Sequence, residues 1–416
     1  MKSQKRLLGI IFFTTFIDLL GVGIIIPIIA PLFLDTAHHL LPDGFSFQQR
    51  TMLMGVLISS FSFMQFFGSS LLGALSDQHG RKKILLISIS GTAVGYLIFA
   101  SGIEAGNLWL LFLGRMLNGF CAGNLAVIFS SIADISNAES KSRNFGMVGA
   151  AFGIGFVIGP FLGGKLADSS LVSWFHYATP FWFAAVLALI NVVLIQGLFQ
   201  ETLQQKIVRQ LKFSTGFKNL HKAFTNPQLR SIFTISFLFI FGFTFFTQFI
   251  QVYLIEAFSF RESDIGNLFA YMGVWIALTQ GMIIRPLSRR FQPTQMLRFT
   301  LILLAVAMIA LLFPQQGWQL FLVVPFISIF QGLSSPNITA TVSNLADKSI
   351  QGEILGINQS VNAFAQMLPP LIGGVLVGFD IHMPIYGSAF FIFMAWLLFM
   401  YVGPAKLSTI GREPAP

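Results

Sequence analysis

Charged side chains are scarce in this sequence. Lys, Arg, Asp and Glu make up 10% of its 416 residues, whereas an ordinary soluble domain carries about 25%. Hydrophobic residues account for 55%, and the mean hydropathy is +0.76. Apolar runs of about 20 residues, long enough to cross a bilayer as a helix, recur along the whole chain. The lack of charge therefore excludes a soluble globular protein and indicates an integral protein that crosses the membrane many times.

Cysteine and clusters of chemically active side chains are also missing. The single cysteine, Cys121, lies in an apolar run, which excludes a disulfide framework and a cysteine-based metal site. The apolar runs contain no histidine pair, carboxylate pair or Ser–His arrangement, and no ATP-binding loop of the type G-x-x-x-x-G-K-[ST] occurs. We therefore expect no enzyme activity, no catalytic residues, no metal, no cofactor and no ATP-driven pumping.

The apolar runs predict an all-α fold of twelve transmembrane helices. Helices are expected because hydrocarbon cannot satisfy an open backbone. The opening run continues to about Leu34 without a small-residue cleavage site, so we expect a retained first span and no cleaved signal peptide. The spans are placed at 7–33, 52–75, 83–101, 107–134, 144–167, 179–199, 229–256, 265–285, 296–313, 318–344, 353–378 and 384–403.

Lysine and arginine cluster in alternate loops. They mark the N-terminus, the loops after the second, fourth and eighth spans, and the central loop, whereas the opposite loops hold little beyond Arg50 and Arg261. By the positive-inside rule, both termini and the central loop are cytoplasmic. The net charge of +9 is therefore interpreted as topology and not as a nucleic-acid site. We expect a monomer, surrounded by lipid, in the cytoplasmic membrane if the source is bacterial.

The sequence repeats itself at half its length. "GPFLGG" (159–164) is echoed by "PPLIGG" (369–374), and "GALSDQHGRKK" (73–83) has a weaker echo in "GMIIRPLSRRF" (281–291). Two six-helix bundles with a substrate path between them are a typical transporter plan. The predicted domains are an N-terminal bundle 1–200, a cytoplasmic linker 201–228 and a C-terminal bundle 229–416.

Four motifs resemble the major facilitator superfamily. "GALSDQHGRKK" resembles its loop signature, and "GRMLNGFCAG" (114–123) resembles its fourth-helix pattern of a membrane arginine followed by glycine. "GFVIGPFLGG" (155–164) is similar to the fifth-helix signature of its antiporters, and D-x-x-G-x-G-x-x-x-P-x-x-P from position 18 resembles the first helix of twelve-span drug:proton antiporters. The resemblance implies a secondary transporter that exports a small organic compound in exchange for protons, using the proton gradient as its energy source.

The loop motif predicts a conformational latch. Asp77 can accept hydrogen bonds from a helix N-terminus or pair with a cation. Arg81 can reach the acidic end of the fourth span, where Asp134 and Glu139 lie. Such contacts hold helix ends together in one conformation and release them in another; the alternative is that the cations only fix topology. The predicted latch residues are Gly73, Asp77, Gly80, Arg81, Lys82 and Asp134.

The fifth-span motif predicts close helix packing. Its glycines recur at helical spacing and leave a groove for another helix backbone, and Pro160 removes one intrahelical hydrogen bond. We predict a hinge, with plain helix packing as the alternative, and the resemblance associates the motif with exchange. The predicted hinge residues are Gly155, Gly159, Pro160, Gly163 and Gly164.

Asp18, in "FIDLLGVGIIIPIIAPL", is the one carboxylate well inside a predicted span, and Arg115 is the one clear intramembrane cation. An ionised side chain at mid-bilayer costs about 2.5–3.5 kcal/mol, so each should face a polar cavity or a partner. We predict that Asp18 binds and releases the proton; the alternative is a cap on the irregular backbone around Gly21, Gly23 and Pro27. For Arg115 we predict a cavity role, against a structural hub. Because Arg115 lies on the order of 10 Å nearer the outer face, a direct pair is left open.

The other predicted cavity residues are uncharged. Amide and aromatic lining suits a bulky, amphipathic or weakly charged ligand. The alternative cargo is a specific metabolite, such as a sugar or siderophore, carried with protons. The phenylalanine stripe of the seventh span is interpreted as packing or lipid contact. The predicted amides are Gln65, Asn118 and Asn124 in the N-terminal half, and Gln248, Gln251, Asn337, Asn358 and Asn362 in the C-terminal half.

Overall fold

The structure of the chain is a computed structural model. Throughout the residues that it describes, the chain is helical with connecting turns, and none of those residues lies in a β-strand. This confirms the predicted all-α fold. The described residues are 2–35, 40–136, 141–203, 215–227, 229–344 and 351–403.

The chain divides into two compact units. Unit 1 comprises Met1–Thr215 and Phe260–Ala270, and unit 2 comprises Gly216–Ser259 and Tyr271–Pro416. Residues 204–214 and 228 of the predicted linker lie outside the described residues. The predicted three-part division at 200 and 229 stays a prediction.

Unit 1 contains most of the helices of the first half. A one-turn 3-10 segment, Ala122–Asn124, joins two of them into one interrupted rod. The helices are α1 (Lys2–Ile24), α2 (Ile26–Leu34), α3 (Phe47–His79), α4 (Arg81–Glu104), α5 (Leu108–Cys121), α6 (Leu125–Ile135), α7 (Lys141–Ala167) and α8 (Thr179–Leu198).

The first span is broken between α1 and α2. The break falls at Ile25, two residues before Pro27. Proline has no N–H and cannot donate to the carbonyl of Gly23, four residues earlier. The irregular backbone that the sequence predicts here is therefore a real interruption, and it lies two turns beyond Asp18.

An aliphatic cluster packs α4, α6 and α8 together at one end of unit 1. Ile89, Ile128, Ile132 and Ile195 are fully buried in it. Because lipid tails are as apolar as these side chains, dispersion contacts and close fit stabilise the helices here, and not transfer out of water. The cluster fixes the helices that carry the loop-motif residues.

Unit 2 contains the remaining helices. Phe245, Phe246 and Phe249 are almost fully buried, and the rings of Phe241 and Phe391 lie with their centroids 4.6 Å apart. Much of the phenylalanine stripe therefore packs within the unit. The helices are α9 (Thr215–Thr225), α10 (Arg230–Phe258), α11 (Glu262–Leu278), α12 (Ile284–Ser288), α13 (Pro293–Ala310), α14 (Gly317–Asn344), α15 (Gln351–Val377) and α16 (Met383–Val402), with α11 shared with unit 1 and a π-helical turn at Thr279–Ile283 before α12.

The helices fit the predicted spans. Among the described residues, 11 helical segments are long and apolar enough to cross a membrane. The remaining predicted span, 144–167, falls in α7, of which Gly153–Ala167 is a shorter apolar helix. Sequence reasoning missed α9, which lies in the predicted linker and whose Asn219 donates a hydrogen bond to Ser360 at 3.0 Å.

Candidate functional site

Asp18 is held by an amide from another span. Asn124 Nδ2 donates to Asp18 Oδ2 at 2.8 Å. Asn124 is 1% exposed and ends the 3-10 segment before α6, so the interruption of the fourth span aims this side chain at α1. Asn124 Oδ1 is buried without a hydrogen-bond partner. The structure thus joins two of the predicted residues, and it leaves an acceptor beside the carboxylate.

Arg115 carries an unpaired charge. It lies on α5 and is 7% exposed, yet it makes no ion pair or hydrogen bond with a described residue, and its Nε is buried without a partner. Its guanidinium carbon lies 4.3 Å from the centroid of the Phe61 ring, a cation–π distance. Asn118, one turn further along α5, also buries an unsatisfied oxygen, Oδ1. The direct Asp18–Arg115 pair that the sequence left open is not formed.

Tyr96 is a residue that sequence reasoning missed. It lies on α4, is 7% exposed, and its hydroxyl lies against Gly21, so any side chain at that position would overlap it. A methyl group on the neighbouring Gly95 would overlap Asn118 Oδ1, so this turn of α4 lies close to both α1 and α5. A tyrosine in an apolar run gives no charge signal; the one clue in the sequence was the glycine three residues after Asp18. We call Asp18, Tyr96, Arg115, Asn118 and Asn124 the Asp18 site.

Gln65 does not join this group by hydrogen bonding. It lies on α3, is partly buried, and makes no hydrogen bond with the described members of the Asp18 site. Its predicted cavity role rests on the sequence alone.

The fifth-span glycines pack α7 against α1. A methyl group on Gly159 would come within 2.9 Å of the Gly23 Cα, and one on Gly155 within 2.9 Å of the Leu19 Cβ. Gly163 faces Ile24 in the same way, at the end of α1. The predicted groove therefore receives the helix that carries Asp18.

Two further residues of this motif have different surroundings. Gly164 faces the start of α11, where a methyl group would come within 3.2 Å of the Gly266 Cα. α7 continues through Pro160 without interruption, and the Pro160 ring lies against Gly23. The hinge role of the motif stays a prediction.

Arg81 lies at the centre of a second polar group, the Arg81 network. Its Nη1 donates to Asp77 Oδ1 and to Ser76 Oγ, both at 2.6 Å. Its Nε donates to Asp134 Oδ2 at 3.1 Å, and Thr202 Oγ1 donates to the same oxygen at 3.0 Å. The structure therefore joins Asp77, Arg81 and Asp134 of the predicted latch.

Glu201 belongs to the Arg81 network, although sequence reasoning gave it no role. Its carboxylate accepts hydrogen bonds from the backbone N–H groups of Arg81 at 2.9 Å and Lys82 at 3.2 Å. These are the first N–H groups of α4, which lack intrahelical partners and carry the positive end of the helix dipole. The available signal was an acidic residue just after the sixth span, on the side predicted to hold the basic loop.

Other predicted latch residues position this network. Gly80 has a φ of 102°, a backbone conformation that favours glycine. A side chain at this position would also overlap the Glu201 carboxylate. Lys82 Nζ donates to the Gln196 carbonyl at 2.8 Å. A methyl group on Gly73 would make an ordinary contact with Ala126 at 3.5 Å. Glu139 lies outside the described residues.

Several amides of the C-terminal half form hydrogen bonds within unit 2. Gln251 Nε2 donates to the Gln248 carbonyl at 3.1 Å, and Asn337 Nδ2 donates to the carbonyl four residues earlier at 2.7 Å. Asn358 Oδ1 accepts from a serine hydroxyl at 3.5 Å. Asn362 buries an oxygen, Oδ1, that has no hydrogen-bond partner among the residues that the structure describes.

Known proteins resemble the chain over nearly its whole length. The tetracycline resistance protein, class C, of Escherichia coli is 29% identical over 391 residues, with 89% of each chain covered. Multidrug resistance protein 2 of Bacillus subtilis is 27% identical, covering 94% of this chain and 93% of the relative. The quinolone resistance protein NorA of Staphylococcus aureus is 27% identical, covering 92% and 93%.

Solved structures share the fold. The human organic anion transporter MFSD10 (TETRAN) matches with a TM-score of 0.71 at 21% identity, covering 95% of this chain and 99% of that one. The D-xylose-proton symporter matches with a TM-score of 0.72 at 15% identity, covering 94% and 96%. At these identities the likeness establishes the fold alone.

The family model described as the Major Facilitator Superfamily matches residues 11–368, which confirms the resemblance found in the motifs. The chain therefore belongs to the Major Facilitator Superfamily and is an integral, multi-pass membrane transporter.

Proposed function

We propose that the chain is a proton-coupled antiporter that exports small amphipathic organic compounds by alternating access. The relatives are named for resistance to tetracycline, multiple drugs and quinolones, which favours a drug-like cargo over a specific sugar or siderophore. The protein works as a monomer in the cytoplasmic membrane with both termini cytoplasmic. It has no enzyme activity and uses the proton gradient in place of a cofactor.

The observation that carries this proposal is the environment of Asp18. It is a membrane carboxylate bonded to a neutral amide and to no cation among the described residues. Asn124 can serve both protonation states: Nδ2 donates to the carboxylate, and the unpartnered Oδ1 accepts from the carboxylic acid after the amide rotates. Asp18 can therefore gain and lose a proton without breaking an ion pair.

The helix α6 supplies a route from the proton to the Arg81 network. Asn124, which binds Asp18, directly precedes α6, and Asp134, which binds Arg81, lies in its last turn. The two are ten residues, or about 15 Å, apart on one short rod. In our proposal, protonation of Asp18 changes the bond to Asn124, shifts this rod and weakens the bond between Arg81 and Asp134. The Arg81 network then acts as the latch between conformations.

Reconstituted transport tests the proposed function. Purified protein in liposomes with an imposed pH gradient is supplied with tetracycline or ethidium, and substrate movement and internal pH are read together. We expect substrate to move against its gradient while protons flow the opposite way, with the substrate chemically unchanged. A rate of substrate transport that does not change with the pH gradient would show that the carrier is not proton-coupled. Protein-free liposomes provide the control for leak.

A further inference from the structure

Unit 1 contains two ionisable side chains of opposite sign, the buried Arg115 and the half-buried Asp18, that form no ion pair with each other. Asp18 bonds only to the amide of Asn124, and Arg115 bonds to nothing among the described residues. Arg115 precedes Asn124 by nine residues, about 13 Å along the helical rod. The two charges therefore lie at different depths of one site.

One aromatic side chain lies near each of the two ionisable groups. The Tyr96 hydroxyl lies against α1 at Gly21, three residues after Asp18, and the neighbouring Gly95 lies against Asn118 of α5. Phe61 covers one face of the guanidinium at 4.3 Å. A buried charge without a partner is costly, and a chain that needed only stability would neutralise Arg115 within the protein. The arrangement leaves both charges available to a bound molecule.

Resting on the proposed export function, we infer that the Asp18 site selects zwitterionic amphipathic compounds. The ammonium group of the substrate binds the Asp18 carboxylate, its carboxylate binds the Arg115 guanidinium, and its aromatic body lies against Phe61 and Tyr96. Each charge of the site then has a partner of opposite sign, and the guanidinium forms the charge-assisted hydrogen bonds that it lacks in the free protein.

This assignment also explains exchange. When the ammonium group arrives, the Asp18 carboxylic acid releases its proton to water on the side from which the substrate entered, and the resulting carboxylate pairs with the ammonium. One proton and one substrate thus compete for the same carboxylate, which is what antiport requires. A compound with only an anionic group would bind Arg115 beside a protonated Asp18, and it would travel with the proton and not against it.

The test uses three forms of one aromatic skeleton. They are 4′-(aminomethyl)biphenyl-4-carboxylic acid, a zwitterion; its methyl ester, a cation; and its N-acetyl derivative, an anion. Ethidium is a fourth, unrelated cation. Each is offered to the full chain in liposomes under a pH gradient, and initial rates and proton flux are measured. We expect the zwitterion to be exported at least about tenfold more efficiently than its ester or its N-acetyl derivative, the factor that 1.4 kcal/mol represents.

Variants of Arg115 locate the selectivity. In Arg115→Gln the ratio of zwitterion to ester transport falls to about one, whereas Arg115→Lys, which keeps the charge, retains part of the preference. The exposed Arg298 provides the matched control, since Arg298→Gln should leave the ratio unchanged. If Arg115→Gln does not fold, the inference is tested by the ratio of zwitterion to ester transport in Arg115→Lys and in the wild-type protein.

The outcomes separate the two proposals. Gradient-driven export of the ester or of ethidium as efficiently as the zwitterion overturns the zwitterion inference and leaves proton-coupled export standing. If the gradient drives none of the four compounds, both proposals fail. An unchanged ratio in Arg115→Gln also overturns the inference, because the selectivity would then lie elsewhere.

Discussion

Two arginines of unit 1 are buried to nearly the same extent, but only one of them forms ion pairs with described carboxylates. Arg81 is 5% exposed and is held by Ser76, Asp77 and Asp134. Arg115 is 7% exposed and forms no ion pair within the part of the chain that the structure describes. A buried arginine that is neutralised by carboxylates holds helices together, whereas a buried arginine without an ion pair can bind an anionic group of a ligand. In our proposal, the first arginine belongs to the latch and the second to the binding site.

The largest expected difference is in stability. Arg81→Met removes the cation that pairs with two carboxylates and should lower the free energy of unfolding by about 3 kcal/mol. This value is near the lower limit for breaking a buried ion pair, because Asp77 and Asp134 are partly exposed. Arg115→Met removes an unpaired buried charge and should leave stability equal or higher. Thermal unfolding of both variants in the same lipid nanodiscs measures this. An equal loss in the two variants would remove the distinction between the arginines.

The glycine contact between α7 and α1 gives the next largest effect. Gly159→Ala places a methyl group within 2.9 Å of the Gly23 Cα and near the Leu20 carbonyl, and overpacking of this kind costs about 1–3 kcal/mol. Gly153→Ala, on the same helix, meets nothing within 4 Å and provides the control. We expect lower stability and slower transport for the first variant only. Equal behaviour would show that α1 and α7 are not closely packed during the cycle.

The smallest effect concerns Glu201. Glu201→Gln keeps the shape of the side chain and removes its charge from the N-terminus of α4, which should cost about 0.5–1 kcal/mol at an exposed position. Asp43→Asn, an exposed acid in a loop, controls for the change in net charge. The loss should shrink in high salt, because exposed charges are screened. A salt-independent loss would mean that Glu201 acts through packing and not through charge.

The helices, the break in the first span and the membrane-embedded ionisable residues can be predicted from the sequence, because hydrophobicity and charge are properties of each position along the chain. Span length predicts the helices, and Pro27 beside Gly23 predicts the break in the first span. Asp18 and Arg115 stand out because no other charges lie as deep. The pairing of Arg81 with Asp134 follows from one basic loop and one acidic helix end on the same side.

Other features depend on how helices face one another, which a single sequence does not fix. Tyr96 is an ordinary residue of an apolar run until α4 turns its hydroxyl toward Gly21. Asn124 is one amide among eight candidates until the 3-10 segment directs it to Asp18. Glu201 is 120 residues from Arg81. In each case the chemistry arises from a tertiary contact that leaves no periodic signal.

The most direct test of the central claim is counterflow compared with uphill transport in Asp18→Asn. If Asp18 carries the proton, this variant, supplied with saturating substrate because it also lacks the carboxylate proposed to pair with the ammonium group, exchanges labelled for unlabelled substrate across liposomes at equal pH. It no longer concentrates substrate when a pH gradient is imposed. Wild-type protein does both. Gradient-driven accumulation by Asp18→Asn at the wild-type level would contradict the account, because the proton would then be bound elsewhere in the chain.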